Sequence, residues 1–227
     1  MSHEGTVSRP LLAEFLGSML LAAVVIGSGL AAAQLSPNDI GLELVENTAA
    51  TVGGLYVLIT LFGPVSGAHF NPIVSVLDAI FGRMRWSMVG AYTLVQTAGC
   101  ICGALLANAM FGLSTVSLSV HHRASAPHGL GEVVATFGLM MVIFGLLKNG
   151  NESRIASAVA AYIGAAYFFT SSTSFANPAI TVGRMFSNTF AGIAPSSVPV
   201  FVSMQCVGGL LAFGVIKYLF MPMVTHE

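Results

Sequence analysis

The sequence predicts an all-α membrane protein with six spanning helices and two re-entrant half-helices. Three observations lead to this prediction. Only 7% of the 227 residues are charged and 55% are apolar, whereas a soluble domain carries roughly 25% charged residues. Apolar runs of about 20 residues recur along the chain, and this length spans a hydrocarbon core of ~30 Å. Two Asn-Pro pairs lie between those runs.

Six apolar runs predict the spanning helices. Helices are expected because a chain in lipid must satisfy its backbone polar groups within a helix or a closed barrel. The fifth run is the shortest. The predicted spans cover residues 11–33, 43–63, 87–111, 130–147, 155–171 and 198–220.

The basic residues predict the orientation. With the N-terminus inside, six of the eight Lys and Arg residues face the cytoplasm, and only Arg123 and Arg184 lie outside. This excess follows the positive-inside rule. We therefore expect a multi-pass protein of a cell membrane with both termini in the cytoplasm. The short termini and the lack of a targeting signal favour a bacterial inner membrane.

An internal repeat relates the two halves of the chain. The pairs that recur are Asn71 and Asn177, Glu14 and Glu132, and Gln96 and Gln205, at offsets of 106, 118 and 109 residues. A period near half the chain length indicates duplication. Each half holds three spans, an odd number, so the second half enters the membrane from the opposite side. We assign residues 1–227 to a single channel domain, with inverted halves at about 9–112 and 128–222.

Each Asn-Pro pair predicts the start of a short helix. Asn is a favoured N-cap, and Pro is favoured in the first helical turn because its missing N–H needs no partner there. About 12 residues follow before Gly82 or Asn188, which gives ~18 Å, roughly half a membrane. We expect Asn71 and Asn177 to face each other across one pore at the midplane. The irregular backbone before each Asn is tolerated there only if it lines a wet cavity.

These motifs resemble the aquaporin and glycerol-facilitator (major intrinsic protein) family. The resemblance rests on Gly-Ala-His-Phe-Asn-Pro at residues 67–72, the second Asn-Pro at 177–178 and a Glu opening each half, and it covers nearly the whole chain. It implies an aquaporin-like fold and a homotetramer with one pore per subunit. It also implies passive conduction of water and small uncharged solutes, with ions and protons excluded partly by the half-helix dipoles. We expect no enzyme activity, catalytic residue, cofactor, metal site or nucleic-acid partner.

The resemblance also implies roles for individual residues. The Asn-Pro boxes are Asn71, Pro72 and Ile73, and Asn177, Pro178 and Ala179, with Ile73 replacing the usual Ala. Two ladders of carbonyl acceptors are expected at Gly67, Ala68, His69 and Phe70, and at Thr173, Ser174, Phe175 and Ala176. The residues expected to brace the loops are Glu14, Glu132, Gln96 and Gln205. Two alternatives stay open: the glutamates could relay protons, and His69 could support its loop instead of lining the pore.

The outer selectivity filter departs from the family pattern. Ile180 occupies the position, three residues after the second box Asn, where an Arg is usual. Two further filter positions are carried over from the family by their distance from the box asparagines. They are Thr51, twenty residues before Asn71, and Ala165, twelve residues before Asn177. Ser174 supplies the fourth filter group, its carbonyl. We therefore expect a wider, less polar and uncharged constriction. Arg184 lies one turn farther, about 6 Å outward, and either supplies a displaced cation at the mouth or only binds loop carbonyls or solvent.

The predicted function is a passive channel for small neutral solutes, such as glycerol, urea or uncharged metalloid hydroxides like arsenite. The alternative is a strictly water-selective channel, which the small residue Ala165 and the apolar Ile180 disfavour. A different class, the inverted-repeat secondary transporters, also places half-helices at the midplane. Flux that is linear in concentration and indifferent to a proton gradient distinguishes a channel from such a transporter.

Overall fold

The computed structural model describes residues 4–220, with side chains described from residue 7 onward. The predicted all-helical membrane fold is confirmed. Residues 1–3 and 221–227, which include the predicted end of the second half, lie outside the described residues. The long helices are α1 (Glu4–Leu35), α2 (Ile40–Ser66), α4 (Trp86–Met110), α5 (Ala126–Lys148), α6 (Ile155–Phe169) and α8 (Val198–Phe220), and the short helices are α3 (Pro72–Ile80) and α7 (Pro178–Gly183).

Five of the six long helices in residues 4–220 are long and apolar enough to cross a membrane. The sixth, α6, has 15 residues, and at 1.5 Å per residue it is only about 22 Å long. A 3-10 turn, Glu152–Arg154, leads into it. The shortest predicted span is therefore also the shortest long helix. We call the membrane face where α1 begins and α8 ends the terminal face, and the other the opposite face.

Both half-helices are shorter than the 12 residues predicted. Helix α3 has nine residues, and Gly82 follows it with φ of 75°, a left-handed conformation that glycine adopts readily. Helix α7 has six residues and continues as a 3-10 turn, Arg184–Phe186. The end of that turn is fixed from outside, since Asn108 of α4 donates to the Phe186 carbonyl at 2.8 Å. Such a tertiary contact is invisible to a prediction based on local sequence.

The two halves pack in corresponding ways. Helix α1 packs against α2 and α4, and α5 packs against α6 and α8. Glycines allow close approach in both halves, as is common between membrane helices. A Cβ at Gly208 of α8 would lie 2.5 Å from the Val133 carbonyl of α5, and Gly99 of α4 lies equally close to the backbone of α1. The half-helices α3 and α7 both lie between α4 and α8 and touch each other.

Candidate functional site

Asn71 and Asn177 begin the two half-helices at the centre of the bundle. Each side-chain oxygen caps its own helix. Asn71 Oδ1 accepts from the Ile73 N–H at 3.0 Å, and Asn177 Oδ1 accepts from the N–H groups of Ala179 and Ile180 at 2.9 and 3.3 Å. These contacts satisfy N–H groups that no turn of the helix can reach. The cap also fixes which way each amide nitrogen points.

The amide nitrogens cross between the halves. Asn71 Nδ2 donates to the Ala176 carbonyl at 2.8 Å, and Asn177 Nδ2 donates to the Phe70 carbonyl at 2.7 Å. A primary amide carries two N–H groups. The second N–H of each has no partner among residues 4–220, and both asparagines border the central cavity. Two donors are thus available at the midplane for a passing solute.

The backbone before each asparagine takes an unusual conformation. Ala68 and Phe70 have φ of 49°, and Ser174 and Ala176 have φ of 53° and 48°. For residues other than glycine such left-handed conformations cost about 1–3 kcal/mol each and persist only where the surroundings enforce them. Thr173 also has positive φ, at 61°. In this conformation, six loop carbonyls accept no hydrogen bond from the described residues. They belong to Gly67, Ala68, His69, Thr173, Ser174 and Phe175.

Glu14 holds the first loop in this conformation. Its buried carboxylate accepts from the backbone N–H groups of His69 and Phe70 at 2.9 and 2.7 Å, and from Ser66 Oγ at 2.6 Å. Gln96 Nε2 donates to the same carboxylate at 2.8 Å. An ionised carboxylate accepts strongly from such donors. The acceptor sites of Glu14 are therefore occupied by groups that hold the loop.

Glu132 does the same in the second loop. Its carboxylate accepts from the N–H groups of Phe175 and Ala176, both at 2.9 Å, and from Gln205 Nε2 at 2.6 Å. Gln205 also donates to Thr181 Oγ1 at 2.9 Å, which ties the loop to α7. Neither glutamate borders the cavity. This position does not suit a proton relay along the pore.

A single cavity of about 960 Å³ runs past the asparagine pair. The two loops supply its polar wall, and side chains of α2, α5 and α6 supply an apolar wall. Residues of the polar wall and of the two ends include Val7, Pro10, Asp78, Arg83, Glu152, Gly67, Ala68, His69, Phe70, Asn71, Asn177, Ser174, Phe175, Tyr167, Ile180 and Arg184. The apolar wall includes Leu55, Ile59, Leu139, Ile143, Val159 and Ile163.

Arg184 closes the cavity toward the opposite face. It is only 4% exposed, its Nε donates to the Ala191 carbonyl, and its guanidinium carbon lies 3.5 Å from the centre of the Phe175 ring. This stacking is a cation–π contact. The two terminal nitrogens of Arg184 have no partner among the described residues. They are therefore available to a solute in the cavity.

Comparison with known proteins shows which family this arrangement belongs to. A family model for the major intrinsic proteins matches residues 1–174, more than half of the chain. The chain belongs to the major intrinsic protein family. It is 43% identical over 220 residues to the aquaglyceroporin AqpS of Rhizobium meliloti (strain 1021), covering 97% of this chain and 94% of that relative. It is 28% identical to the aquaporin NIP1-3 of Oryza sativa subsp. japonica, covering 95% and 76%.

A solved structure shares the fold. The aquaglyceroporin from Plasmodium falciparum superposes with a TM-score of 0.76 over 95% of this chain and 98% of that one, at 17% identity. That identity supports the fold alone. Family and fold together make this major intrinsic protein a multi-pass membrane channel that passes water and small solutes passively, and not an enzyme.

The filter prediction for this channel needs correction. Ala165 is exposed and does not border the cavity. The face of α6 that does so carries Val159, Ile163 and Tyr167, spaced by one turn each, and Ala165 lies well away from that face. The twelve-residue offset assumes a loop length between α6 and the second Asn that this chain does not have. Tyr167, ten residues before Asn177, takes the place expected for Ala165.

The constriction is also not uncharged, because Arg184 borders the cavity. Arg184 donates to the Ala191 carbonyl and also borders the cavity. Thr51 is 2% exposed and lies behind the wall, with its Oγ1 3.2 Å from the hydroxyl of Tyr167. Ser174 and Ile180 border the cavity.

Some of the remaining predicted positions line the cavity and others do not. His69 lines the cavity, with its Nδ1 3.0 Å from Ser75 Oγ. Thr173 and Ala176 do not border it, and the Phe70 and Ala176 carbonyls already accept from the opposite asparagine. Of the other box residues, Ile73, Ala179 and Pro72 are buried and Pro178 is partly buried, and none borders the cavity.

Ile73 does not narrow the pore. It packs on α8, where a Cβ at Gly209 would lie 2.7 Å from Ile73 Cγ2. The bare glycine backbone explains how the larger residue is accommodated. The sequence analysis also missed three polar residues of the cavity wall, Tyr167, Asp78 and Arg83. Tyr167 could have been found as a polar aromatic residue near the end of an apolar span.

Proposed function

We propose that the channel conducts small neutral hydroxylated solutes of about glycerol size together with water. The observation that carries this proposal is the mixed wall at the opposite-face end of the cavity. There Arg184 offers unpaired N–H groups and Ser174 a free carbonyl, while Ile180 and the Phe175 ring offer apolar surface. Glycerol, urea and arsenious acid each present hydrogen-bonding groups on a compact uncharged body. Such solutes fit a site that offers hydrogen bonds in place of water on one side and apolar surface on the other.

The midplane supports passage of the same solutes. The free N–H groups of Asn71 and Asn177 donate to a solute oxygen, and the carbonyl rows on either side accept from its hydroxyls. We propose Glu14, Glu132, Gln96 and Gln205 as structural braces that hold these groups in place. These fixed protein groups thereby replace the hydrogen bonds that the solute loses when its water is removed.

Cations and protons are excluded by fixed positive potential. Both half-helices direct their positive ends at the midplane, which places about half an elementary charge there per helix. Helix α7 is short, so its share is smaller than the sequence suggested. Arg184 adds a full positive charge without a carboxylate partner among the described residues. The barrier to cations is then highest at the opposite-face end.

Stopped-flow measurements on proteoliposomes test this function. Water, glycerol, urea and arsenite should each cross faster than in protein-free liposomes, with flux linear in concentration and unaffected by a proton gradient. Passage of water alone would instead show a strictly water-selective channel, with Tyr167 and Arg184 as the narrowing pair. Solute accumulation driven by a proton gradient would show a transporter.

We also propose the setting in which the channel works. The excess of Lys and Arg on the terminal face supports cytoplasmic termini, and a bacterial inner membrane fits this arrangement. Matching offsets of the braces and boxes support inverted halves at about 9–112 and 128–222 within one domain. We also propose a homotetramer, which family membership supports. Protease protection of the termini in oriented vesicles and native mass spectrometry would check the orientation and the subunit number.

A further inference from the structure

Arg123, in the segment before α5, binds the loop that also holds Arg184. Its Nε donates to the Gly192 carbonyl at 2.8 Å and its Nη2 donates to the Phe190 carbonyl at 2.9 Å. The carbonyl between them, that of Ala191, accepts from Arg184 Nε. Two guanidinium groups therefore hold three consecutive carbonyls of one loop.

The two arginines also share an aromatic ring. The guanidinium carbon of Arg123 lies 5.5 Å from the centre of the Phe175 ring, and that of Arg184 lies 3.5 Å from it. Neither arginine has a carboxylate partner within residues 4–220. Arg184 borders the cavity, but Arg123 does not. Arg123 therefore does not contact a solute in the cavity, but it holds the loop that anchors Arg184.

The loop leaves little freedom for these contacts to shift. Ala191 is 1% exposed, and its Cβ lies 3.3 Å from the place of a Cβ at Gly29 of α1. A Cβ at Gly192 would lie 2.5 Å from Ser119 Oγ. The backbone of Arg123 is itself fixed, since its N–H donates to Ser197 Oγ at 3.0 Å. Within this closely packed loop, the Ala191 carbonyl lies between the two carbonyls that Arg123 holds.

We propose that Arg123 is a positioning residue for solute selectivity: by holding the Phe190 and Gly192 carbonyls, it fixes the Ala191 carbonyl that anchors the Arg184 guanidinium at the constriction. This inference rests on the proposed function, in which Arg184 is the filter cation. Arg is suited to the task because its planar fork binds two carbonyls at once, whereas the ammonium of Lys is a single point charge. Charge alone does not suffice for this role.

A double-mutant cycle tests the proposal. Arg123→Gln, Arg123→Lys, Arg184→Leu and the combined Arg123→Gln/Arg184→Leu variant are reconstituted, and glycerol and water permeabilities are measured for each. Arg154→Gln, at an exposed arginine on the terminal face, is the matched control. Both Arg123 variants should raise the glycerol-to-water ratio by about twofold or more, the size typical of coupled neighbours. In the Arg184→Leu background, Arg123→Gln should change the ratio no further.

The outcomes separate the two claims. An unchanged ratio in Arg184→Leu would overturn the proposed filter itself. A normal Arg184→Leu effect, with Arg123→Gln acting equally in both backgrounds, would overturn only the positioning role. Full rescue by Arg123→Lys would show that charge, and not the two-carbonyl grip, is what matters. Because permeability ratios are independent of the amount of folded protein, a variant of low yield still gives a decisive result.

Discussion

The two ends of the pore differ, although the midplane between them is nearly symmetric. At the centre, Asn71 and Asn177 are 106 residues apart and each donates to the other loop. The same offset pairs Asp78 on α3 with Arg184 after α7. Asp78 is neutralised by Arg83, whose Nε lies 3.0 Å from its carboxylate, while Arg184 has no acidic partner among the described residues.

This difference bears on the two inverted halves that we propose. Where the half-helices meet, each loop presents the same donors and acceptors, and both halves carry an Asn-Pro pair, a Glu and a Gln that hold them. At Asp78 and Arg184, each seven residues or about two turns farther along, nothing requires the two halves to agree. The terminal-face end is lined by Asp78, Glu152, Arg83 and Arg85, which balance in charge, and the opposite-face end carries the positive charge of Arg184. We therefore propose that selection by charge and size takes place at the opposite-face end.

The largest effect is expected for the loss of stability when the glutamates that hold the two midplane loops are replaced. Glu14→Gln and Glu132→Gln each replace an acceptor oxygen by an NH₂ group that cannot accept from a loop N–H. A buried backbone N–H left unpaired costs about 1–3 kcal/mol, and the strained loop residues lose their restraint. Both variants should unfold at clearly lower temperature in detergent and give little monodisperse protein.

The two losses should be similar, since the two carboxylates hold equivalent pairs of N–H groups. Gln96→Glu and Gln205→Glu, which would place two carboxylates in contact, should be at least as harmful and serve as a second pair. A Glu132→Gln variant that folds normally but loses a proton-driven flux would speak for the transporter alternative instead of a brace.

The sequence predicts the midplane well for a physical reason. Both copies of each midplane feature are present in the chain, so Glu14 with Glu132 and Asn71 with Asn177 support one another. The outer constriction has no second copy to check against. Its residues were carried over by counting along the chain, and the count fails wherever a loop differs in length. The choice of Ala165 over Tyr167 is that kind of error.

The next effect separates the two ends of the pore. Arg184→Leu removes the unpaired charge and its bulk, so glycerol permeability should rise severalfold relative to water and a cation leak should appear. Asp78→Asn should leave the same ratio unchanged, because a partly exposed ion pair is worth only about 0–1 kcal/mol and this pair lies at the other end of the cavity from Arg184. Stopped-flow permeabilities and potassium-dependent dye quenching in proteoliposomes measure both. Equal effects of the two variants would contradict the assignment of selectivity to one end.

A smaller effect tests the register of α6. Tyr167→Ala should raise the glycerol-to-water ratio by roughly twofold to threefold, the size expected when one side chain with about 0.5 kcal/mol of influence is lost. Ala165→His should leave the ratio unchanged, because that residue lies on the exposed face. The reverse pattern would show that the family offset of twelve residues holds and that the cavity wall has been misassigned.

The smallest effect concerns Thr51, which lies behind the constriction. Thr51→Val keeps the shape but removes the 3.2 Å contact with the Tyr167 hydroxyl, and a hydrogen bond of this kind contributes about 1 kcal/mol. Tyr167 then keeps its place by packing but loses one restraint, so the glycerol-to-water ratio should shift less than in Tyr167→Ala. Thr51→Ser, which retains the hydroxyl, is the control and should match the unmodified channel. A Thr51→Val shift as large as that of Tyr167→Ala would mean that Thr51 itself meets the solute, as its offset from Asn71 first suggested. Since valine and threonine fill nearly the same volume, such a result could come only from the hydroxyl.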